Sequence, residues 1–197
     1  MPAELRKITR DDIMPVEDYV AVRKERKAAM MAVKRNRRLS LGPHATLYFE
    51  NFDTMWMQIQ EMLYIERGGE AQIADEIAAY NSLIPNGREL VMTLMFEISN
   101  EARRDVFLSE LGGVEDTISL TIGGDVIMAV PEDDLERTNN AGKTSSIHFL
   151  HFPLSDEQAA ALRSDDVSAV FGISHEKYPH MVALPKNVRD ELVRDLG

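Results

Sequence analysis

The hydrophobic pattern changes from helical to strand-like near the middle of the chain, and this change constrains the fold most strongly. Before residue 85, apolar residues recur mainly at helical spacing in segments without Gly or Pro. Beyond it, TISLTIGGDVIMAVP (117–131) alternates apolar and polar residues and predicts a hairpin that turns at Gly123-Gly124. Strands that follow one another, separated from the helices, favour an α+β fold with a mainly antiparallel sheet. We therefore predict a single domain, helix-rich over 1–85 and strand-rich over 86–197, in which the C-terminal half completes the sheet.

Capping and turn residues predict where the individual elements begin and end. The predicted helices are 16–37, ended by Gly42-Pro43; 54–67, capped by Asp53 or Thr54 and ended by Gly68-Gly69; 70–83, ended before Pro85; the segment after Asn100; the segment opened by Ser155 and Gln158; and a closing helix from Pro185. The strands predicted outside the hairpin are 45–51, 89–99, 145–153, 167–173 and 180–185.

Composition excludes several classes of site. The 197 residues suit one domain, and 44% of them are apolar, which is enough to form a core without disulfide or metal staples. The chain contains no cysteine, so zinc thiolates, cysteine-ligated iron–sulfur clusters and cysteine nucleophiles are excluded. The N-terminus has no apolar segment of a signal peptide, and no run is long enough for a membrane helix. We expect a cytoplasmic protein that does not bind membranes, with no cofactor predicted.

The chain is acidic overall but contains one strongly basic segment. The net charge of −11 argues against a nucleic-acid-binding protein. Residues 23–38 nevertheless carry eight basic residues against one acid, Glu25. These residues either form a solvated helix face that pairs with acidic groups of the same molecule or a docking patch for an acidic partner or phosphate group. The patch would include Arg35, Arg37 and Arg38.

The segment AGKTSSIHFLHF (141–152) contains two apparent ligand motifs. Gly142-Lys143-Thr144 matches the end of a phosphate-binding loop, but Arg137 stands where that motif requires its first glycine, and a β-rich run follows instead of a helix. His148 and His151 are three residues apart, which on a strand places them on opposite faces. We therefore predict neither a phosphate loop nor a two-histidine metal site, and expect each histidine to be hydrogen-bonded within or beside the core.

The predicted helix 54–67 is apolar on two sides, which is typical of a buried helix. It also carries Glu61 and Glu66, and buried carboxylates require partners. Glu50, at the end of the preceding strand, and His148 could approach them. Glu50, Glu61, Glu66 and His148 thus form the candidate polar pocket. It is either an internal network paired with Arg67, the Arg35–Arg38 cluster or a histidine, or a cavity with a general acid/base or a carboxylate-rich metal site.

Several segments together resemble an uncharacterised bacterial family, a domain of unknown function. They are ITRDDIMPVEDYVAVR, RRLSLGPHATLYFENFDTMWMQIQEMLYIER, YNSLIP, EDDLERTN and KTSSIHFLHF, of which 41–67 is the most specific. Members are encoded near rubrerythrin-like proteins and iron–sulfur or flavin oxidoreductases, so the resemblance implies a role beside redox or peroxide metabolism and no known reaction. The resemblance implies that the residues typical of the family are present here as Glu50, Asn51, Glu61, Glu66, Arg67 and His148. His151 stands where the family is expected to have an arginine.

Three functional hypotheses follow from the residues and the resemblance together. The preferred one is a non-catalytic accessory or binding protein that acts with a protein partner in a redox or oxidative-stress system. The second is a redox enzyme that uses the carboxylate and histidine pocket, with iron or another divalent metal. The third is a sensor of a small ligand. The sequence does not indicate the oligomeric state.

Overall fold

The computed structural model describes residues 5–132, 138 and 142–197, and within these residues helices and two sheets form one α+β domain. The helices are α1 (Val16–Arg35), α2 (Phe52–Glu66), α3 (Gly69–Asn81), α4 (Glu101–Ser109), α5 (Asp156–Arg163) and α6 (Lys186–Leu192). The strands are β1 (Arg38–Leu41), β2 (Ala45–Phe49), β3 (Glu89–Phe96), β4 (Ile118–Ile122), β5 (Asp125–Met128), β6 (Val130–Pro131), β7 (Ile147–Pro153), β8 (Ala169–Ile173) and β9 (His180–Ala183).

The strands form two sheets, and every strand pair is antiparallel. The first sheet has the order β1-β2-β3-β7-β6 and the second the order β5-β4-β8-β9. The main core lies between their facing sides, where residues such as Leu94, Leu120 and Phe171 are fully buried. The predicted α+β fold with mainly antiparallel sheets, including the hairpin at Gly123-Gly124, is confirmed.

A second, smaller core lies on the other side of the first sheet, beneath α2 and α3. Ile59 and Leu63 of α2 pack there with Val91 of β3. Strand β3 is central in its sheet and is therefore covered on both faces, which explains its continuous apolar sequence. This helix-covered face of the first sheet positions the candidate site.

Two predicted boundaries were wrong. α1 ends at Arg35, and the sequence RLSL that follows forms β1, so Gly42-Pro43 turns a hairpin between β1 and β2 instead of ending a helix. A four-residue strand with charged Arg38 at its start gives too weak an alternation to be recognised. α2 begins at Phe52, because the side chain of Asn51 accepts a hydrogen bond from the Thr54 amide and acts as the cap.

The β1–β2 hairpin is fixed to the C-terminal part of the chain by Tyr178. Its buried hydroxyl accepts hydrogen bonds from the amides of His44 and Ala45 (2.9 and 3.0 Å) and donates one to the Leu41 carbonyl (2.8 Å). Gly42 adopts a left-handed φ of 74°, and a Cβ at that position would collide with the Tyr178 hydroxyl and the His180 ring. The turn therefore requires glycine both for its conformation and for its space.

We predict that Tyr178→Phe lowers the free energy of unfolding by about 1–3 kcal/mol, because the substitution leaves buried backbone groups without their partner. Chemical denaturation measures this loss. Tyr48→Phe is the matched control, since the Tyr48 hydroxyl donates to the exposed carboxylate of Glu97 and holds no buried backbone group, and we expect a change below about 0.5 kcal/mol. Equal losses in the two variants would contradict this role of Tyr178.

Candidate functional site

A cavity of about 370 Å³ lies between the first sheet and the helices α1, α2 and α3. Its floor is the helix-facing side of the sheet, with Thr93 and Met95 of β3 and Phe149 of β7. Met55 of α2 and Leu83, which follows α3, supply apolar walls. The remaining lining residues are Lys34, Arg37, Tyr48, Phe49, Glu50, Thr54, Gln58, Tyr80 and Ile147. A mainly apolar wall with a few polar groups is typical of sites for small organic molecules.

Glu50 is the carboxylate of this cavity. It follows β2, and its amide donates to the Val91 carbonyl (2.8 Å), which continues the β2–β3 pairing by one residue. Its Oε1 accepts a hydrogen bond from Thr93 Oγ1 (2.7 Å), and the residue is only 8% exposed. Oε2 has no hydrogen-bond partner among the described residues. One oxygen of a largely buried carboxylate is therefore open to a ligand.

Arg37 fixes the chain on both sides of Glu50. Its guanidinium is 1% exposed and donates to the carbonyl of Phe49 (Nε, 3.0 Å) and that of Glu50 (Nη2, 2.9 Å). The same group forms a salt bridge with buried Asp195 and a longer one with Glu191 (3.4 Å). Burial is the largest influence on Asp195 and raises the pKa of that carboxyl, although the charge of Arg37 opposes the shift. Arg37 therefore has no free donor to offer a ligand and acts as the support of Glu50.

Two phenols and one ammonium surround the open side of the cavity. Burial raises the pKa of Tyr80, and burial together with a hydrogen bond to Glu97 raises the pKa of Tyr48. Both hydroxyls are therefore protonated at neutral pH. Lys34 is exposed near the end of α1 and forms no ion pair within the described part of the chain. The site thus combines a negative group on its inner side with a positive group at its mouth.

The structure does not bring the four residues of the candidate polar pocket together. Glu50 lines the cavity, whereas Glu61 lies in the α1–α2 interface, and His148 lies in the core on the opposite face of the first sheet. Glu66 was expected to project into a buried stripe, but it lies in the last turn of α2, is exposed and accepts a hydrogen bond from Gln72 (2.9 Å). The helix extends beyond the core there, as the 66% exposure of Ile65 also shows.

Glu61 forms an internal ion-pair network, with partners different from those predicted. Arg23 of α1 donates to both of its oxygens (2.8 Å each), and Tyr19 and Lys27 add further bonds (2.6 and 3.4 Å). Chiefly because of Arg23, the pKa of Glu61 falls to about 2. The expected partners were Arg67, the cluster 35–38 or a histidine, but Glu61 instead faces the Tyr19, Arg23 and Lys27 side chains of α1.

Only part of the predicted basic patch is exposed to solvent. Arg35 and Arg38 are exposed, whereas Arg37 is buried in the network with Asp195 and cannot contact a partner. Arg23 and Lys27 pair with Glu61, so the interpretation of 23–38 as a face paired within the molecule holds for these residues.

The two histidines of β7 lie on opposite faces of the sheet, as the strand period predicts. His148 is fully buried, with its Nε2 2.9 Å from the Ser145 carbonyl. Lys143 pairs with Asp105, and Gly142–Thr144 lead into β7 without a helix, so this segment has no phosphate-loop geometry. Arg137, and the turn residues 139–141, lie outside the described residues.

His151 bridges two carboxylates, and this contact was not predicted from the sequence. Its Nδ1 lies 3.0 Å from Glu89 Oε2, and its Nε2 lies 2.9 Å from Glu132 Oε1. Burial lowers the pKa of His151, but the two carboxylates together outweigh burial, so the pKa is raised. The bridge forms because β7 pairs with β3 on one side and with β6 on the other, which brings Glu89 and Glu132 to His151. Only knowledge of this strand register could have predicted it.

We predict that the His151 bridge stabilises the fold at low pH and loses its effect as the pH rises. A raised folded-state pKa means that the contribution is complete below the unfolded value of about 6.5 and disappears as the pH passes the higher folded-state pKa. The difference in unfolding free energy between the wild type and His151→Gln should therefore be larger at pH 6 than at pH 9. A difference that is constant or grows with pH would contradict the charged bridge.

Within residues 5–132, 138 and 142–197, no three acidic or histidine side chains are arranged to hold a metal ion, and no helix is long and apolar enough to cross a bilayer. Gln60 is buried, and its amide has no partner among the described residues, but it does not line the cavity.

Comparisons with known proteins identify relatives without a known activity. The family described as "Protein of unknown function (DUF3501)" matches residues 7–196. A crystal structure of a novel protein of unknown function from Burkholderia pseudomallei K96243 is similar, with 36% sequence identity and a TM-score of 0.89 over 97% of this chain and 100% of that chain. No curated protein matches the sequence.

Proposed function

The chain belongs to the DUF3501 family of proteins of unknown function, and we propose that it binds a small organic amine in the cavity beside Glu50. The observation that carries this proposal is the single open oxygen of a buried, rigidly held carboxylate. The proposal develops the hypothesis of a small-ligand sensor.

The size and lining of the cavity support a ligand with an apolar body. About 370 Å³ lies within the range of roughly 300–1,000 Å³ of small-molecule sites. Met55, Leu83 and Phe149 offer apolar surface on three sides, contributed by α2, the segment after α3 and β7. Burying such surface provides affinity, whereas the polar groups fix the orientation of the ligand.

The charge of Glu50 supports an ammonium group at the inner end of that ligand. An ammonium donates charge-assisted hydrogen bonds, which are about twice as strong as neutral ones when the acceptor is a carboxylate. An alcohol could only form the weaker neutral bond, and a carboxylate ligand would be repelled. The net charge of −11 also favours the approach of cations.

Lys34 supports a monoamine over a diamine. It stands at the mouth of the cavity as an exposed positive charge, so it would repel a second ammonium at the outer end of the ligand. Salt screens an exposed charge, and we therefore expect this preference to be modest.

We predict that 2-phenylethylamine binds more tightly than its uncharged and acidic counterparts, 2-phenylethanol and 3-phenylpropionate. Glu50→Gln should weaken amine binding by about tenfold or more while Thr93 keeps a hydrogen-bond acceptor, because only the charge-assisted part of the contact is lost. Isothermal titration calorimetry measures both effects. Glu66→Gln, which neutralises an exposed acid of α2 outside the cavity, is the matched control and should bind like the wild type.

Two results would contradict the proposal. One is that the amine, the alcohol and the acid bind equally or not at all at millimolar concentration. The other is that Glu50→Gln and Glu66→Gln have the same effect, which would show only a general attraction of cations to an acidic protein.

The accessory role with a redox partner and the cytoplasmic location stay predictions. Arg35 and Arg38 still provide exposed positive charge for an acidic partner, whereas Arg37 belongs to the support of the cavity.

A further inference from the structure

The cavity beside Glu50 contains two charged groups of opposite sign that the protein leaves available. Glu50 is fixed by Thr93 and by the Arg37 contact with its carbonyl, and one of its carboxylate oxygens is open. Lys34 of α1 lines the same cavity and forms no ion pair within the described part of the chain. Arg37 also lines the cavity, but its charge is engaged by Asp195. A ligand that pairs with Glu50 therefore still has a free positive charge within its reach.

Helix α2 separates these two charges. Glu50 lies just before the start of α2 at Phe52, and Gln58 lies six residues further along the helix. A rise of about 1.5 Å per residue places Gln58 about 9 Å along the helix axis from Phe52. Lys34 and Gln58 both also line a second cavity, of about 220 Å³, between α1 and α2. Lys34 therefore lies at the Gln58 end of the main cavity, and Glu50 lies at the other end.

Neutral hydrogen-bond donors accompany Lys34 in the lining. Gln58 carries an amide NH2 group, and Tyr80 of α3 carries a hydroxyl. Burial is the largest influence on Tyr80 and raises its pKa, so this hydroxyl keeps its proton at neutral pH. An ammonium, an amide NH2 and a phenol can all donate to a carboxylate. This part of the lining is therefore suited to an anionic group.

We infer that the ligand is an amine that carries a carboxylate at its opposite end, an inference that rests on the proposed binding of an amine by Glu50. The ammonium pairs with Glu50, and the carboxylate pairs with Lys34. The apolar body between them packs against Met55, Leu83 and Phe149. An α-amino acid does not fit this arrangement, because its carboxylate lies beside its ammonium and would be repelled by Glu50.

The contribution of Lys34 should be modest. Its side chain is exposed, so water and salt screen its pairing with a carboxylate. Glu66 and Glu76 act on Tyr80 from outside the cavity lining and oppose an anion there. An exposed ion pair of this kind corresponds to a gain of about two- to fivefold in affinity.

Three ligands built on one scaffold test the inference by isothermal titration calorimetry at low salt. They are 2-phenylethylamine, 4-(2-aminoethyl)benzoate, which adds a carboxylate at the far end, and phenylalanine, which adds it beside the ammonium. The benzoate should bind about two- to fivefold more tightly than 2-phenylethylamine, and this gain should shrink in about 0.5 M salt. Phenylalanine should bind more weakly than 2-phenylethylamine.

Lys34→Gln assigns the gain to one residue. It should remove the advantage of the benzoate without weakening the binding of 2-phenylethylamine, because only the carboxylate uses the lost charge. Lys24→Gln is the matched control, since Lys24 is an exposed lysine of the same helix outside the cavity lining and the charge change is the same. This control should keep the wild-type difference between the two ligands.

The possible failures are distinguishable. If 2-phenylethylamine does not bind at millimolar concentration, the proposed function fails and this inference fails with it. If 2-phenylethylamine binds but the far carboxylate adds no affinity, only this inference is overturned. The same holds if the gain persists in Lys34→Gln, or if phenylalanine binds as tightly as the benzoate. Unchanged circular dichroism spectra show that both variants are folded.

Discussion

The buried guanidinium of Arg37 is the interaction on which the rest of the structure depends. It lies where α1 has ended and β1 begins, and it reaches both the end of β2 and the C-terminal Asp195. Three parts of the chain that are far apart in sequence therefore meet at one side chain. A charge removed from water at this depth is tolerated only because carbonyl and carboxylate oxygens surround it.

This arrangement explains why Glu50 has an oxygen available for a ligand. The other buried or half-buried carboxylates discussed above are engaged: Asp195 with Arg37, Glu61 with Arg23, and Glu89 with His151. Glu50 is held through its backbone, by Arg37 and by β3, and only one side-chain oxygen is bound, by Thr93. The position of the carboxylate is thus fixed without satisfying it, which is the condition for a preorganised binding group.

Periodicity and capping residues were sufficient to predict most of the fold. The hairpin at Gly123-Gly124, the caps at Asn100 and Ser155 and the opposite faces of His148 and His151 depend on local sequence, and the structure confirms them. Strand β1 could not be recognised, because four residues carry little pattern. Long-range partners were also inaccessible. Whether Arg37 is exposed or buried depends on Asp195, 158 residues away, and which side of the sheet His148 faces depends on the register of β7.

Arg37 acts through the Phe49 and Glu50 carbonyls as well as through its salt bridge, and a double-mutant cycle with Asp195 tests this role most directly. Arg37→Met alone should lower the free energy of unfolding by about 3–5 kcal/mol, because it leaves the Asp195 carboxylate buried and unpaired. Adding Asp195→Leu removes that charge, but the two carbonyls still lack their donor. The double variant should therefore remain at least about 2 kcal/mol less stable than the wild type. A double variant as stable as the wild type would show that Arg37 serves only its salt bridge, and would contradict the account.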